Sequence, residues 1–266
     1  MTKIGILGGG QLGYMFLQNA LQYPFEIHIL DPSPDAPCAK HAHSFTIGDF
    51  ADYQTVLDFG KTVDAIGIEI EHVNTDALRE LKKMGKHIVP DPEALAIIQD
   101  KGVQKNFYTT HKIPTAPYIT INNWEEIPEK EIQFPSFQKT RKGGYDGKGV
   151  QFLGNENDFQ KLLQAPSIIE KAANLEKEIA VVAVADHLGN VVTYPTVELV
   201  FNEEYNLLDY LLMPSTLPKS TSEKAEHLAI EVVKALQSPG VFAVEMFLNK
   251  DCLLYTSPSP RDATLS

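Results

Sequence analysis

The sequence has 266 residues, enough for one large domain or two modest ones with ample core material. Hydrophobic residues at 43% and charged residues at 22% are ordinary for a globular protein, and a net charge of -12 argues against a nucleic-acid-binding surface. No apolar run has the length of a bilayer span, no secretory leader is visible, and two cysteines, Cys38 and Cys252, make no disulfide framework. The expectation is a cytoplasmic protein with no nucleic-acid or membrane partner. Anionic small substrates stay open, because a few local cations and helix N-termini bind phosphate within an acidic chain.

In chain order, the opening Lys3 to Gly9 reads as a buried parallel strand ending in glycines, and Gln11 to Gln22 carries helical spacing. A strand over Glu26 to Leu30 ends at Asp31-Pro32; Tyr53 to Phe59 reads as a helix, Ala65 to Ile70 as a strand, Thr75 to Met84 as a helix and Ile88-Val89 as a strand. Alternating strands and helices predict an α/β, Rossmann-like domain over residues 1–92. A second domain, α+β, is expected over 93–251, opening with one helix from Pro92 to Tyr108. From Phe134 the pattern runs strand, glycine-rich loop, strand, helix over Phe159 to Leu163, strand. Ile179 to Ala185 and Val191 to Leu199 flank a turn, predicting a hairpin. Ser220 to Gln237 is the clearest helix, with Ser220 and Glu223 spaced as a capping box, and Phe242 to Leu248 reads as a buried strand. The last segment, 252–266, has no strand or helix period and is set aside as a non-native tail.

Two glycine loops carry chemical information. Gly8-Gly9-Gly10-Gln11-Leu12-Gly13 follows a strand and opens a helix, with Asp31 ending the second strand where a dinucleotide fold holds ribose. Alone, this pattern fits an NAD-binding Rossmann oxidoreductase, and equally any phosphate site or a tight strand–helix turn. The second loop, Phe137 to Val150, places Lys139 at a strand end, then Gly143, Gly144, Gly147 and Gly149 around Tyr145, Asp146 and Lys148. Such a hairpin can close over a triphosphate, its lysines and amides neutralising the transferring phosphoryl group. It is no Walker A loop, which needs Gly-Lys-Ser/Thr at a helix start. Glu170 follows a strand, Glu178 precedes one, and Glu245 interrupts an apolar one, where a metal or a cation is the expected partner.

The segments ILGGGQLGYM, IEIEHV, DKGVQK, IPTAP, KTRKGGYDGKG and YPTVEL, in that order, resemble the 5-(carboxyamino)imidazole ribonucleotide synthases, ATP-grasp enzymes of purine biosynthesis. The resemblance implies a carbon–nitrogen ligase. ATP and bicarbonate would give carboxyphosphate, which carboxylates the 5-amino group of 5-aminoimidazole ribonucleotide. It implies ATP contacts from Lys101, Lys139, Gly144, Gly147 and Glu178, with Glu170 and the backbone of Lys171, Ala172 and Ala173 at adenine. Tyr145, Asp146 and Lys148 would carry the catalytic loop, Gln11, Leu12, Glu71, Tyr145 and Lys148 would face the ribonucleotide, and Glu245 would bind Mg2+. The family pattern also implies a homodimer, a second metal-binding Glu after Glu245 and a C-terminal domain. The second Glu and that domain do not occur in this sequence, so nucleotide affinity without efficient turnover is expected of the chain as written. A related ATP-grasp enzyme, the formate-dependent glycinamide ribonucleotide transformylase, is the nearest alternative.

Overall fold

A computed structural model describes residues 1–129, 131–143, 149–201, 208–250 and 254–257. The chain forms two compact units, Met1–Ala96 joined by Ser238–Gly240, and Ile97–Gln237 with the strands that follow Val241.

The first unit is a five-stranded parallel sheet of order β3-β2-β1-β4-β5. Its strands are β1 (Thr2–Leu7), β2 (Phe25–Asp31), β3 (Ser44–Ile47), β4 (Ala65–Ile68) and β5 (His87–Val89). Helix α1 (Gln11–Ala20) places Leu17 and Ala20 against Ile6, Ile27 and Ile29 on one face. Helices α2 (Tyr53–Lys61) and α3 (Thr75–Lys83) bury Val56, Phe59, Leu78 and Leu81 against Leu7, Leu30 and Ile66 on the other. Both helices start as their sequences direct: Asp52 accepts from the Thr55 amide at 2.8 Å and Asn74 from the Ala77 amide at 2.9 Å. Strand order reverses at β1, so the crevice beyond the carboxyl ends of β1 and β4 is where this topology presents a ligand site.

The second unit has two antiparallel sheets. One has order β6-β9-β7-β8: β6 (Tyr118–Ile121), β7 (Ser136–Thr140), β8 (Val150–Leu153) and β9 (Ser167–Lys171). The other has order β13-β12-β10-β14-β15, with β11 also paired to β10. Its strands are β10 (Leu175–Ala185), β11 (Val191–Thr193), β12 (Val197–Phe201), β13 (Leu208–Leu212), β14 (Gly240–Asn249) and β15 (Leu254–Ser257). Helix α6 (Lys219–Leu236) covers the back of this sheet, packing Ala225, Leu228, Val232 and Val233 against Ile179, Val181, Val244 and Met246. Because strand side chains alternate, Glu178 on β10 and Glu245 and Phe247 on β14 project from the opposite face.

The α/β and ATP-grasp-like mixed architecture agrees with the sequence reading, with local corrections. The helix expected over Pro92 to Tyr108 is two: α4 (Pro92–Gln99) and α5 (Lys101–Thr110). Asp100 separates them, leaving helical geometry so that its carboxylate caps the Gly102 and Val103 amides. The Ser220–Glu223 capping box does not form, because α6 begins one residue earlier with Pro218 at the cap. Phe159 lies in a 3-10 turn, Glu156–Lys161. The strand expected over Val191 to Leu199 is split by Tyr194-Pro195-Thr196 into β11 and β12, both paired to β10. The segment set aside after Asp251 contributes β15, which pairs Leu254–Ser257 with Leu248–Glu245 through backbone bonds that need no side-chain period.

Candidate active site

In the first unit, β1 ends in a turn that only glycine suits. Gly8 has φ +103, and a Cβ there would lie 2.3 Å from Glu69 Oε2. The Gly9 amide donates to Asp31 at 2.7 Å, and the Ser33 amide donates to the other Asp31 oxygen at 2.8 Å. Asp31 is buried, so it closes the glycine turn instead of waiting for a ribose hydroxyl. That removes the second half of the dinucleotide fingerprint. Gln11 opens α1 and is exposed, Leu12 beside it is half-buried, and the helix has no side-chain cap. Glu71 is buried, with His72 Nε2 3.1 Å from its carboxylate. A missed residue is Glu69, whose oxygens lie over Gly8 and Gly10. Its signal was the alternation in Ile68-Glu69-Ile70-Glu71, two carboxylates just past a buried strand. With Asp31 and Glu69 crowding the turn, this helix start suits a hydrogen-bond donor better than a phosphate.

The other candidate residues belong to the second unit. Lys139, next to the last residue of β7, donates to Glu170 Oε2 on neighbouring β9 at 2.7 Å. Its Nζ lies 5.7 Å from the Phe247 ring of β14, so the lysine stands between the two sheets. The other Glu170 oxygen accepts from Lys105 Nζ, which also donates to Thr115 Oγ1 at 2.6 Å and lies 5.8 Å from the Tyr118 ring. Burial pushes the Glu170 carboxyl up, but Lys139 and Lys105 together outweigh it and hold the group below the usual carboxylate range. Glu178 is the counter-case: burial pushes its carboxyl up, and Lys139 offsets this only in part. Lys105 is the second residue that sequence reasoning missed. It sits in the quoted DKGVQK segment, one turn after Lys101, hence on the same side of α5.

Lys101 opens α5, and its amide donates to the Arg141 carbonyl at 2.9 Å. Arg141 forks onto Asp100 through Nε at 2.8 Å and Nη2 at 2.9 Å, and Nη1 reaches Asn122 at 3.0 Å. This clamp ties the root of the glycine-rich hairpin to the start of α5. The hairpin's ends turn at Gly143 (φ +73) and Gly149 (φ +78), both left-handed positions that favour glycine. Gly144, Tyr145, Asp146, Gly147 and Lys148 lie outside the described residues. At the end of β9 Lys171 is exposed, in the linker that follows Ala172 and Ala173 are half-buried, and the Lys171 and Ala172 amides donate to Pro117 and Pro135 carbonyls, both at 2.9 Å. Glu245 is half-buried on the inner face of β14, opposite Ser257 of β15, and its charge adds to burial in raising the pKa of the Tyr108 hydroxyl.

The ribonucleotide synthetase pre-ATP-grasp domain family matches residues 1–99, and the ATP-grasp domain family matches residues 106–263. The N5-carboxyaminoimidazole ribonucleotide synthase of Bacillus subtilis is 31% identical over 97% of this chain and 69% of its own length. The chain belongs to this family. The phosphoribosylaminoimidazole carboxylase of Candida glabrata is 34% identical over 97% of the chain, which spans only 47%, about half, of that relative's length. Among solved structures, the N5-carboxyaminoimidazole synthase of Aspergillus clavatus in complex with ADP and 5-aminoimidazole ribonucleotide is similar at a TM-score of 0.85 and 30% identity. That match covers 97% of this chain and 69% of the Aspergillus chain. Family membership thus rests on both units, and the match to the ATP-grasp domain runs past β15.

Proposed function

We propose that the protein catalyses the ATP- and bicarbonate-dependent carboxylation of the 5-amino group of 5-aminoimidazole ribonucleotide, giving 5-(carboxyamino)imidazole ribonucleotide, ADP and phosphate. The observation that carries this reading is the Lys139–Glu170–Lys105 constellation beside Glu178, set between two antiparallel sheets in a chain of this family. Lys139 and Lys101 meet the nucleotide phosphates, and Glu178 accepts from the ribose hydroxyls. Adenine lies along the linker after β9. The Lys171 and Ala172 amides are already committed to Pro117 and Pro135, so the linker carbonyls and the Ala173 amide are what it offers the base. A bicarbonate oxygen attacks the γ-phosphorus and ADP leaves. The 5-amino nitrogen then takes the carboxyl carbon, phosphate departs, and the nitrogen loses a proton. In the first unit, Gln11, Leu12 and Glu71 meet the aminoimidazole, a donor-bearing ring suited to the carboxylates there. Tyr145, Asp146 and Lys148, outside the described residues, act on carboxyphosphate in this reading.

Magnesium fits on one condition. Among the described residues no group of three His, Cys, Asp or Glu side chains converges. An ion held mainly by nucleotide phosphates needs only one or two carboxylates, and Glu245, two residues from the Phe247 ring that meets Lys139, would supply one. Such an ion would neutralise charge on the transferring phosphoryl group. The test is ADP release and incorporation of labelled bicarbonate with aminoimidazole ribonucleotide and glycinamide ribonucleotide as rival co-substrates. Stimulation by the first, with bicarbonate label in an acid-labile product, is expected. Stimulation by glycinamide ribonucleotide and formate would move the protein to the transformylase alternative.

A further inference from the structure

Lys105 is a fully buried lysine, and none of the roles above uses it. An ammonium ion is expensive to bury, and among the described residues this one donates to Glu170 and Thr115. Glu170, itself 3% exposed, is therefore shared by two cations of different standing. Lys105 is enclosed with a side-chain exposure of 0%, while Lys139 retains 14% and faces the space between the sheets. One carboxylate and two ammonium groups leave the trio with a surplus positive charge.

We infer that Lys105 is a positioning residue that keeps Glu170 paired while Lys139 is released to the nucleotide phosphates. The inference rests on the ATP-site reading above and deepens it. Without phosphate, Lys139 rests on Glu170. When a triphosphate arrives, Lys139 turns to it, and Glu170 would be left as a buried, unpartnered carboxylate if Lys105 were not fixed to its other oxygen. Removing Lys105 makes Lys139 the only counter-ion of Glu170, so phosphate must compete for it. Lys105 thus tunes nucleotide affinity through Glu170 without touching the nucleotide.

The test is a double-mutant cycle on the full chain: wild type, Lys105→Met, Glu170→Gln and the double variant, titrated with MgATP, folding being checked by thermal melting. Lys105→Met should weaken ATP binding tenfold or more, while in the Glu170→Gln background the same change should alter it by less than about twofold. A Lys105 that merely fills space acts alike in both backgrounds, so equal losses, or no loss in the first, overturn the inference. Should Lys105→Met fail to fold, the double variant against Glu170→Gln alone carries the comparison, and a tenfold difference there overturns it. Lys105→Arg, which keeps the charge, should bind ATP more tightly than Lys105→Met; the reverse order also overturns it. Wild-type protein that binds no MgATP would overturn the ATP-site reading itself, which separates that failure from this one.

Discussion

Replacing Asp100 tests how the start of α5 is held to the root of the glycine-rich hairpin. Its carboxylate caps α5 through the Gly102 and Val103 amides at 2.9 and 3.1 Å and forks onto Arg141 at 2.8 and 2.9 Å. Loss of an N-cap costs about 1 kcal/mol, and a charged hydrogen-bonded pair in a mostly buried setting about 1.5–3 kcal/mol. Arg141 keeps Asn122 and is 24% exposed, so the stranded guanidinium adds little. Asp100→Ala should therefore cost about 2.5–4 kcal/mol. Asn caps nearly as well as Asp, so Asp100→Asn should lose only the ion pair, about 1.5–3 kcal/mol. Urea unfolding followed by the fluorescence of Trp124 measures both. It is the only tryptophan in the sequence and packs beside Ile121, Ile127, Leu153 and Ile169, so it reports the second unit. A signal confined to one unit matters because a two-unit chain need not unfold in one step.

The same comparison has a pH signature. Burial pushes the Asp100 carboxyl up, but Arg141 and the α5 amides override it and hold the group below the usual range. A depressed carboxyl contributes stability that is present above its unfolded pKa of about 3.9 and lost as pH falls through the folded value. The gap between wild type and Asp100→Asn should thus be constant near neutrality and close below about pH 4. Equal losses for the Ala and Asn variants, or a gap that ignores acid, would refute the reasoning.

Lys139→Ala should reduce ATP affinity at least a hundredfold, about 2.7 kcal/mol, while Lys105 keeps Glu170 paired and the fold intact; calorimetric titration with thermal melting checks both. Glu178 runs opposite to Asp100. Its carboxyl is raised by burial, so the charged form is disfavoured in the folded state and stability rises as pH falls through the raised pKa. Glu178→Gln should therefore raise the melting temperature near pH 7 and weaken ATP binding; a lower melting temperature contradicts the burial argument. Gly8→Ala puts a Cβ 2.3 Å from Glu69 Oε2 at a φ of +103, and should destabilise the first unit by about 1–3 kcal/mol in chemical denaturation, whereas Gly85→Ala, at φ +86 with open space around it, should cost less.

Much of the fold was legible where chemistry is local. The Rossmann-like unit follows from apolar runs, glycines and caps, and the structure keeps β1, α1, β2, α2, β4, α3 and β5 within a few residues of their expected places. Strands β3, β6 and β13 escaped notice because each is four or five residues long with one or both faces exposed, leaving little period to read. The break at Asp100 was hidden by a continuous apolar stripe through Ile97, Ile98 and Val103, although Asp two residues before Gly102 is a cap signal. Lys139, Glu170 and Glu178 were singled out as separate motifs. Their meeting depends on the order β6-β9-β7, which pairs Lys139 with Ile168 and Phe137 with Glu170 across strands thirty residues apart. No window of sequence holds that register. Lys105 was overlooked for the complementary reason: a lysine in a polar helical stretch reads as solvated, and only tertiary burial makes it a core cation.

The hairpin of β14 and β15 bears on Glu245 in the same way. Read alone, a carboxylate inside an apolar strand invites a salt bridge or a strand edge as its explanation. The order β10-β14-β15 removes the edge, since β14 is flanked on both sides, and the alternation of Val244 and Met246 into the α6 core turns Glu245 to the other face. On that face Phe247 meets Lys139, and Glu178 projects from adjacent β10. The carboxylate is thus carried by an interior strand whose backbone has partners on both sides. The placement of Glu245 therefore follows from strand order, which the strand's own sequence does not reveal.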